Sequence, residues 1–550
     1  MPINRSNPVR FTPRGLVDAF DATDIFAGAC RALKNLIFDQ ANPELLVSRP
    51  GVGDAIADFP PGSFVDPQYV SVHIVIGDMC YGMVACDFSG TFRDQPFAFN
   101  LLTNTFIFIT GITAANCPLT QPTTGEWTPP TMAMISTKII VTHPGFSGTG
   151  SNFFGVLDVS SPGVTLWSSS NTSPTLLPKV PTAVTNFGNR AYFAVGNVSY
   201  FTDVLLPTTM TNATQQLTHG DTTPIVGYGG LPVATTSGGI IQALIVFKRY
   251  QIWQVTGDQA LQNLAQNYIS LNVGCVAART IVQTPLGTFF IALDGPYLVD
   301  SAGGVRPLTR DSSTREQDLQ IPFQNSVNST DLSTRMAAGF SGDIYRICLN
   351  TVIEGEDELN DYWFSANRLR WTGPHSFPAD CLSPYNNAFV ISHRDLGAKL
   401  YLAQTFAASD SIYVDEGQFI TCQLQTSTFP KRGTMHMNSI VESMIELSSS
   451  GAQVIYLLSF LNEQFGVLNQ AQLQLPTGGG LLWGGGGTWG GGGIWSSFAS
   501  IPKTYGIPWT APIVFQKGAL QVDATANASL LIGTSYFRYE DLGYMNQENQ

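Results

Sequence analysis

The chain has 550 residues, 44% of them hydrophobic and only 12% charged, with 40 Asp and Glu against 27 Lys and Arg and a formal net charge of −13. The length allows two to four domains around a sizeable core, and a charged share about half the usual one means a surface built from Ser, Thr, Asn, Gln and Gly. The acidic balance argues against a protein that holds phosphate backbones through Lys and Arg.

The first residues, MPINRSNPVRFTPRG, contain no apolar core of the signal-peptide kind, so no signal peptide is expected. Residues 1–50 are read as an N-terminal arm, with a short helix over Phe26–Phe38 and a turn at Ser48-Arg49-Pro50-Gly51. Residues 51–428 are read as a β-propeller-like body and 429–550 as a further β-rich part. From Tyr69 apolar and polar residues alternate in short runs. The first run holds Val70, Val72, Ile74 and Ile76, and the next Tyr81, Met83 and Ala85. The uncharged run Gln95–Gly125 interleaves Asn and Thr with Phe, Leu and Ile, which predicts strands rather than a membrane-spanning helix.

Similar blocks follow around Met134–Trp167, Val184–Leu206, Leu244–Thr309, Met336–Trp371 and Ala388–Asp415. Within Leu244–Thr309, Pro285, Gly287, the Asp294-Gly295 pair and Gly303-Gly304 punctuate short strands, predicting an antiparallel meander. Six blocks of this size predict a propeller of six blades, with five or seven also compatible. The fold class is therefore mainly β: a propeller-like body of antiparallel meanders with an additional β-rich C-terminal domain. In that last part, GGGLLWGGGGTWGGGGIW places Trp483, Trp489 and Trp495 six residues apart. If that segment is extended, all three indoles share one face, and they are expected to pack at an interface or against a sheet.

The eight cysteines are scattered with no CxxC pair and are read as free, mostly buried thiols, with a Cys80–Cys86 disulfide the weaker reading. No phosphate-binding loop, dinucleotide fingerprint, zinc-protease helix or nucleophile elbow is present. The six histidines are widely separated, and His143 before Pro144-Gly145 reads as a turn residue rather than a ligand. Glu354, Glu356, Asp357, Glu358 and Asp361 form an acidic cluster without calcium-loop spacing, read as a solvated loop. No catalytic, cofactor-binding or metal-ligating residue is assigned, so no cofactor is expected and the chain is read as no enzyme.

Four stretches carry a resemblance to a family. They are Asn35-Leu36-Ile37 through Ser48-Arg49-Pro50-Gly51; Trp127-Thr128-Pro129-Pro130-Thr131-Met132-Ala133 with Thr142-His143-Pro144-Gly145; Asn189-Arg190-Ala191-Tyr192-Phe193; and Gly274-Cys275 with Gly287-Thr288-Phe289-Phe290-Ile291 and Asp294-Gly295-Pro296-Tyr297. They resemble the nozzle proteins of short-tailed bacteriophages, also called tail tubular protein B or packaged-DNA-stabilising tail proteins. These are turn and strand motifs rather than catalytic signatures, and the likeness thins beyond about residue 310. It implies a homohexameric tube at the distal end of a virion tail, made in the host cytoplasm and stacked below an adaptor ring. It also implies contact with tail fibres or spikes and with the host envelope, and passage of genomic DNA through the lumen without sequence recognition. On that reading the lumen is net acidic, with Glu354, Glu356, Asp357, Glu358 and Asp361 as candidate contributors. The alternative is a carbohydrate-binding or carbohydrate-cleaving receptor-recognition tail protein with a β-propeller.

Overall fold

The computed structural model of the protein describes residues 7–17, 29–42, 44–60, 63–121, 128–161, 164–234, 240–257, 263–308, 319, 335–353, 356–407, 411–429, 436–449, 454–475, 503–526 and 529–544. Apart from two short 3₁₀ turns, Ala278–Thr280 and Arg394–Leu396, the named elements of these residues are strands.

Seven sheets of mostly antiparallel strands stand around a ring. Their innermost strands, in chain order, are Pro67–Ile76, Thr131–Ile135, Ala183–Phe187, Ile225–Ala234, Val282–Thr284, Ala337–Ser341 and Cys381–Tyr385. Each lies against the next, and the seventh lies against the first. The architecture is a β-propeller, and the count of sheets in the ring is seven. The Leu244–Thr309 block spans two of them, contributing strands of the fourth blade as well as the whole fifth blade, Val282–Thr284, Gly287–Ala292, Gly295–Asp300 and Val305–Pro307.

Strand alternation explains why the blades stack. Successive side chains point to opposite faces, and here each face meets a different neighbour. Phe97 and Phe99 pack with Val390 and Leu400 of the seventh blade, while Ala98 between them packs with Ile139 and Val141 of the second. In the second blade Ile140 and Phe154 turn toward Val184 and Phe193 of the third. The register repeats round the ring: Tyr192 and Phe201 meet Leu244 and Val246, Ile245 and Phe247 meet Phe290, and Phe289 meets Tyr345 and Phe364. Fully burying each such side chain is worth roughly 1.5–3 kcal/mol, so the blade faces supply much of the folding free energy.

The ring is closed by a strand from outside the blade order. The seventh blade takes its outer strand from Ala57–Asp58, which precedes the first blade and pairs with Lys399 and Leu400. A blade built from both ends of the ring ties first to last, so opening it requires breaking the Ala57–Asp58 pairing.

Beside the sixth blade lies a second body made from both chain ends. Its first sheet continues from Arg370–His375 through Cys30–Lys34, Gln418–Thr426, Gly518–Ala526, Val454–Asn462 and Val467–Leu475. Its second sheet holds Leu36–Phe38, Leu46–Ser48, Leu530–Tyr544, His436–Ser449 and Lys503–Gly506, with Asn7–Phe11 and Val514–Phe515 on its flanks. Leu33, Leu424, Leu458, Phe460, Val522, Ile445, Leu447, Ile532 and Phe537 form the core they share. The described part of residues 1–50 is thus built into this body rather than forming a separate arm.

The expected helix over Phe26–Phe38 is not formed where it is described: Cys30–Lys34 and Leu36–Phe38 are strands of two different sheets. Asn35 makes the change of sheet, with φ 55°, a left-handed conformation that Asn adopts more readily than most residues. Its buried amide donates to Thr421 O at 2.7 Å and accepts from Arg49 Nε at 2.9 Å and Ser376 N at 2.8 Å. None of the eight cysteines is in a disulfide, all are buried, and burial pushes the thiols of Cys30, Cys86, Cys117 and Cys422 up to about 12.

Gly155 marks one close approach. A Cβ there would stand 2.0 Å from the indole ring of Trp167, which is buried and donates from Nε1 to Asn116 O at 3.2 Å. Gly155→Ala is expected to lower stability by about 1–3 kcal/mol through overpacking. Chemical denaturation measures it, and an unchanged midpoint would show that the indole yields freely.

Candidate functional site

At the propeller axis, one side chain reaches across the ring. Arg279 stands in the 3₁₀ turn Ala278–Thr280 that leads into the fifth blade. Its Nη2 donates to Ser71 O of the first blade at 2.6 Å, and its Nη1 to Asp380 O, beside the seventh, at 3.2 Å. Next to it, His73 Nδ1 and Ser383 Oγ are 2.8 Å apart, linking the first and seventh inner strands. Burial, followed by the Arg279 charge, pushes His73 down to about 3, so the ring stays neutral. Arg279 therefore ties three blades together across the ring.

An open groove of about 730 Å³ lies near the joint of the first and seventh blades. Its walls include Gln68, Tyr69, Thr91, Phe92, Gln121 and Arg394. The Arg394 guanidinium lies over the Tyr69 ring, 4.1 Å from its centroid, and Nη2 donates to Tyr69 Oη at 2.9 Å. Phe92 is 48% exposed. Asp395 is drawn to Arg335 at 3.1 Å, and Arg335 also binds Asp380 at 3.1 Å.

Behind the groove, Asp94 is buried beneath Thr120 and His143. Thr120 Oγ1 donates to Asp94 Oδ1 at 2.6 Å. His143 Nδ1 accepts from Gly145 N at 2.9 Å, so Nε2 carries the proton that it donates to Asp94 Oδ2 at 3.0 Å. Burial pushes the Asp94 carboxyl up, but the adjacent His143 ring and the hydrogen bonds from His143, Ser71 and Thr120 outweigh it and hold the group below the usual carboxylate range. The turn reading of His143 thus holds for its backbone, while its ring pins the second blade to the first. A separation of 49 residues hid that pairing with Asp94 in the sequence.

The acidic cluster is not one solvated loop. Residues 356–361 lie in the strand Glu356–Ser365, because the segment pairs with Ile344–Ile353 along its length. Asp361 is buried and bound to Arg346 (Nη2 to Oδ2 2.9 Å, Nε to Oδ1 3.1 Å) and to Trp363 Nε1 at 3.0 Å. It faces the interior of its own chain and is removed from the lumen candidates. Glu354 lies outside the described residues, and of Glu356, Asp357 and Glu358 only the backbone is described. Trp483, Trp489 and Trp495 also lie outside the described residues. Among the described residues no group of three or more His, Cys, Asp or Glu is placed to hold a metal ion. Among them too, no helix is long and apolar enough to cross a membrane, which says nothing of a β-barrel.

No protein-family model matches the chain, and no curated protein does. Solved structures similar to it include a glycoside hydrolase family 43 arabinoxylan arabinofuranohydrolase from Bacillus subtilis, with 9% identity over 89% of this chain and 99% of that one and a TM-score of 0.26. The β-propeller domain of the Trilobed protease from Pyrococcus furiosus matches with 10% identity over 64% and 99% and a TM-score of 0.32. A xylan beta-1,4-xylosidase from Bacillus halodurans C-125 matches with 10% identity over 86% and 99% and a TM-score of 0.25. The expectation that the chain is no enzyme does not stand, because glycoside hydrolases are among the structures it is similar to. At these scores the likenesses assign no substrate and no catalytic residue to this chain.

Proposed function

We propose that the chain is a nozzle subunit of a short-tailed phage, several copies of which form the distal tube through which the genome leaves. The observation that carries this reading is where the resembling residues fall. Asn35 and Arg49 join the propeller to the second body, Arg49 through Asn35, Ser376 and the Asp415 carboxylate. His143 pins two blades. Asn189, at φ 56°, turns the first hairpin of the third blade, and Arg190 Nη1 caps Thr202 O at 2.8 Å. Gly274 passes so close to Lys248 O that a Cβ would stand 2.1 Å from it. These residues are joints of the architecture, and a family likeness carried by its turns and strands fits a shared scaffold.

With Arg279 across its axis, a single propeller is not the DNA passage on this reading. The lumen lies between copies, most simply six, and is net acidic so that phosphates are repelled rather than gripped. Charge reversal of lumenal acids to Lys is expected to slow ejection, and faster ejection would overturn the acidic lumen. A second reading, a tail protein that recognises or cleaves host carbohydrate, is favoured by one observation: the groove at Tyr69 and Phe92 combines an exposed ring with amide and hydroxyl side chains.

A further inference from the structure

We propose that the groove between Tyr69, Phe92 and Arg394 binds a saccharide bearing a carboxylate, a uronic acid unit of an oligosaccharide. For its ligand class this rests on the carbohydrate reading above; it does not depend on the nozzle reading.

The groove has the size of a small-ligand site, about 730 Å³, and it is open along one side, as a unit within a longer chain requires. Phe92 offers an exposed ring on which the C–H face of a pyranose can lie. Gln68, Thr91 and Gln121 are exposed around it and supply the paired donors and acceptors that sugar hydroxyls need.

The charge comes from Arg394. Among the described residues, the hydrogen bond found for its guanidinium is the one from Nη2 to Tyr69 Oη. Nη2 keeps a second N–H, which together with the N–H of Nε or of Nη1 beside it can meet a carboxylate in the forked geometry that guanidinium favours. Stacking on Tyr69 holds that fork in place at little further entropic cost. Burial, with Asp94 as the next cause, pushes the Tyr69 phenol up to about 12, so it stays protonated and keeps a hydroxyl proton to donate. Asp395, a carboxylate in the wall of the groove that would oppose an anion, is drawn to Arg335. The network of Thr120, Asp94 and His143 fixes the wall behind the site.

The test is calorimetric titration of the full chain with oligogalacturonides and glucuronic acid oligomers, and with the corresponding neutral galactose and glucose oligomers. The uronates are expected to bind at least about tenfold more tightly than the neutral sugars, a difference of about 1.4 kcal/mol. Arg394→Gln should erase that preference, and Phe92→Ala should weaken both classes. Because Phe92 is exposed, its variant remains readable if Arg394→Gln proves unstable. Absence of saccharide binding, equal binding of both classes, or uronate binding unchanged in Phe92→Ala would each overturn the proposal. None of these results alters the copy number in a virion, on which the nozzle reading depends.

Discussion

Asp361→Ala is expected to destabilise the protein by about 3–5 kcal/mol, the usual cost of stranding one member of a buried ion pair. The geometry gives the reason. Arg346 and Asp361 are both almost wholly buried and meet through two hydrogen bonds. Trp363 Nε1 and the Cys348 thiol also point at the same carboxylate. Removing the carboxylate leaves a guanidinium in the core of the sixth blade with Phe377 O as its remaining acceptor. Taking out both charges is a different change. Arg346→Met combined with Asp361→Leu should recover most of the loss, because apolar side chains of similar volume avoid the desolvation penalty. Urea midpoints of the three proteins decide the matter: a double variant no better than Asp361→Ala would show that the pair holds the fold by more than its own charges.

Acid is expected to weaken the fold well before the carboxylates titrate. Burial lowers His73 to about 3 and His219 to about 4, the charges of Arg279 and Lys248 adding to it in turn, and burial also lowers His375 well below its ordinary value. In the unfolded chain these groups titrate near 6.5. Between pH 6.5 and about 4 the unfolded state therefore holds protons that the folded state refuses, so stability falls as pH falls through that window. Each histidine contributes roughly 2 kcal/mol of loss by pH 5, and the three together are comparable with a typical domain's entire stability. A melting temperature unchanged between pH 7 and pH 5 would contradict this. Replacing all three with neutral, non-titrating residues should flatten the pH dependence even though it lowers the starting stability.

Much of the propeller was legible because its physics is local. Alternation in segments such as Val70–Ile76 encodes a strand that packs on both faces, and the structure uses both faces against different blades. The division of the Leu244–Thr309 block was not legible. The outer strand of the fourth blade, Ala265–Ser270, is polar and mostly solvent-facing, so it carries no apolar period to read. The Phe26–Phe38 segment misled for the opposite reason. Leu33, Leu36 and Ile37 have helical spacing, but Leu33 pairs with a strand some 390 residues away and Leu36 and Ile37 with Leu46–Ser48, and those pairings decide the conformation. The groove was invisible for the same cause: Tyr69 and Arg394 are 325 residues apart and meet only because the ring closes. Asp361 shows the limit of composition, since a carboxylate within an acidic run reads as solvated until its Arg346 partner is seen.

The nozzle proposal is tested most directly by imaging this chain in its native particle and counting copies. The expected result is a closed ring, with six copies, at the distal end of a short tail, its propellers forming the wall and its lumen lying between chains. A single copy per particle, or a chain absent from any virion, would contradict it.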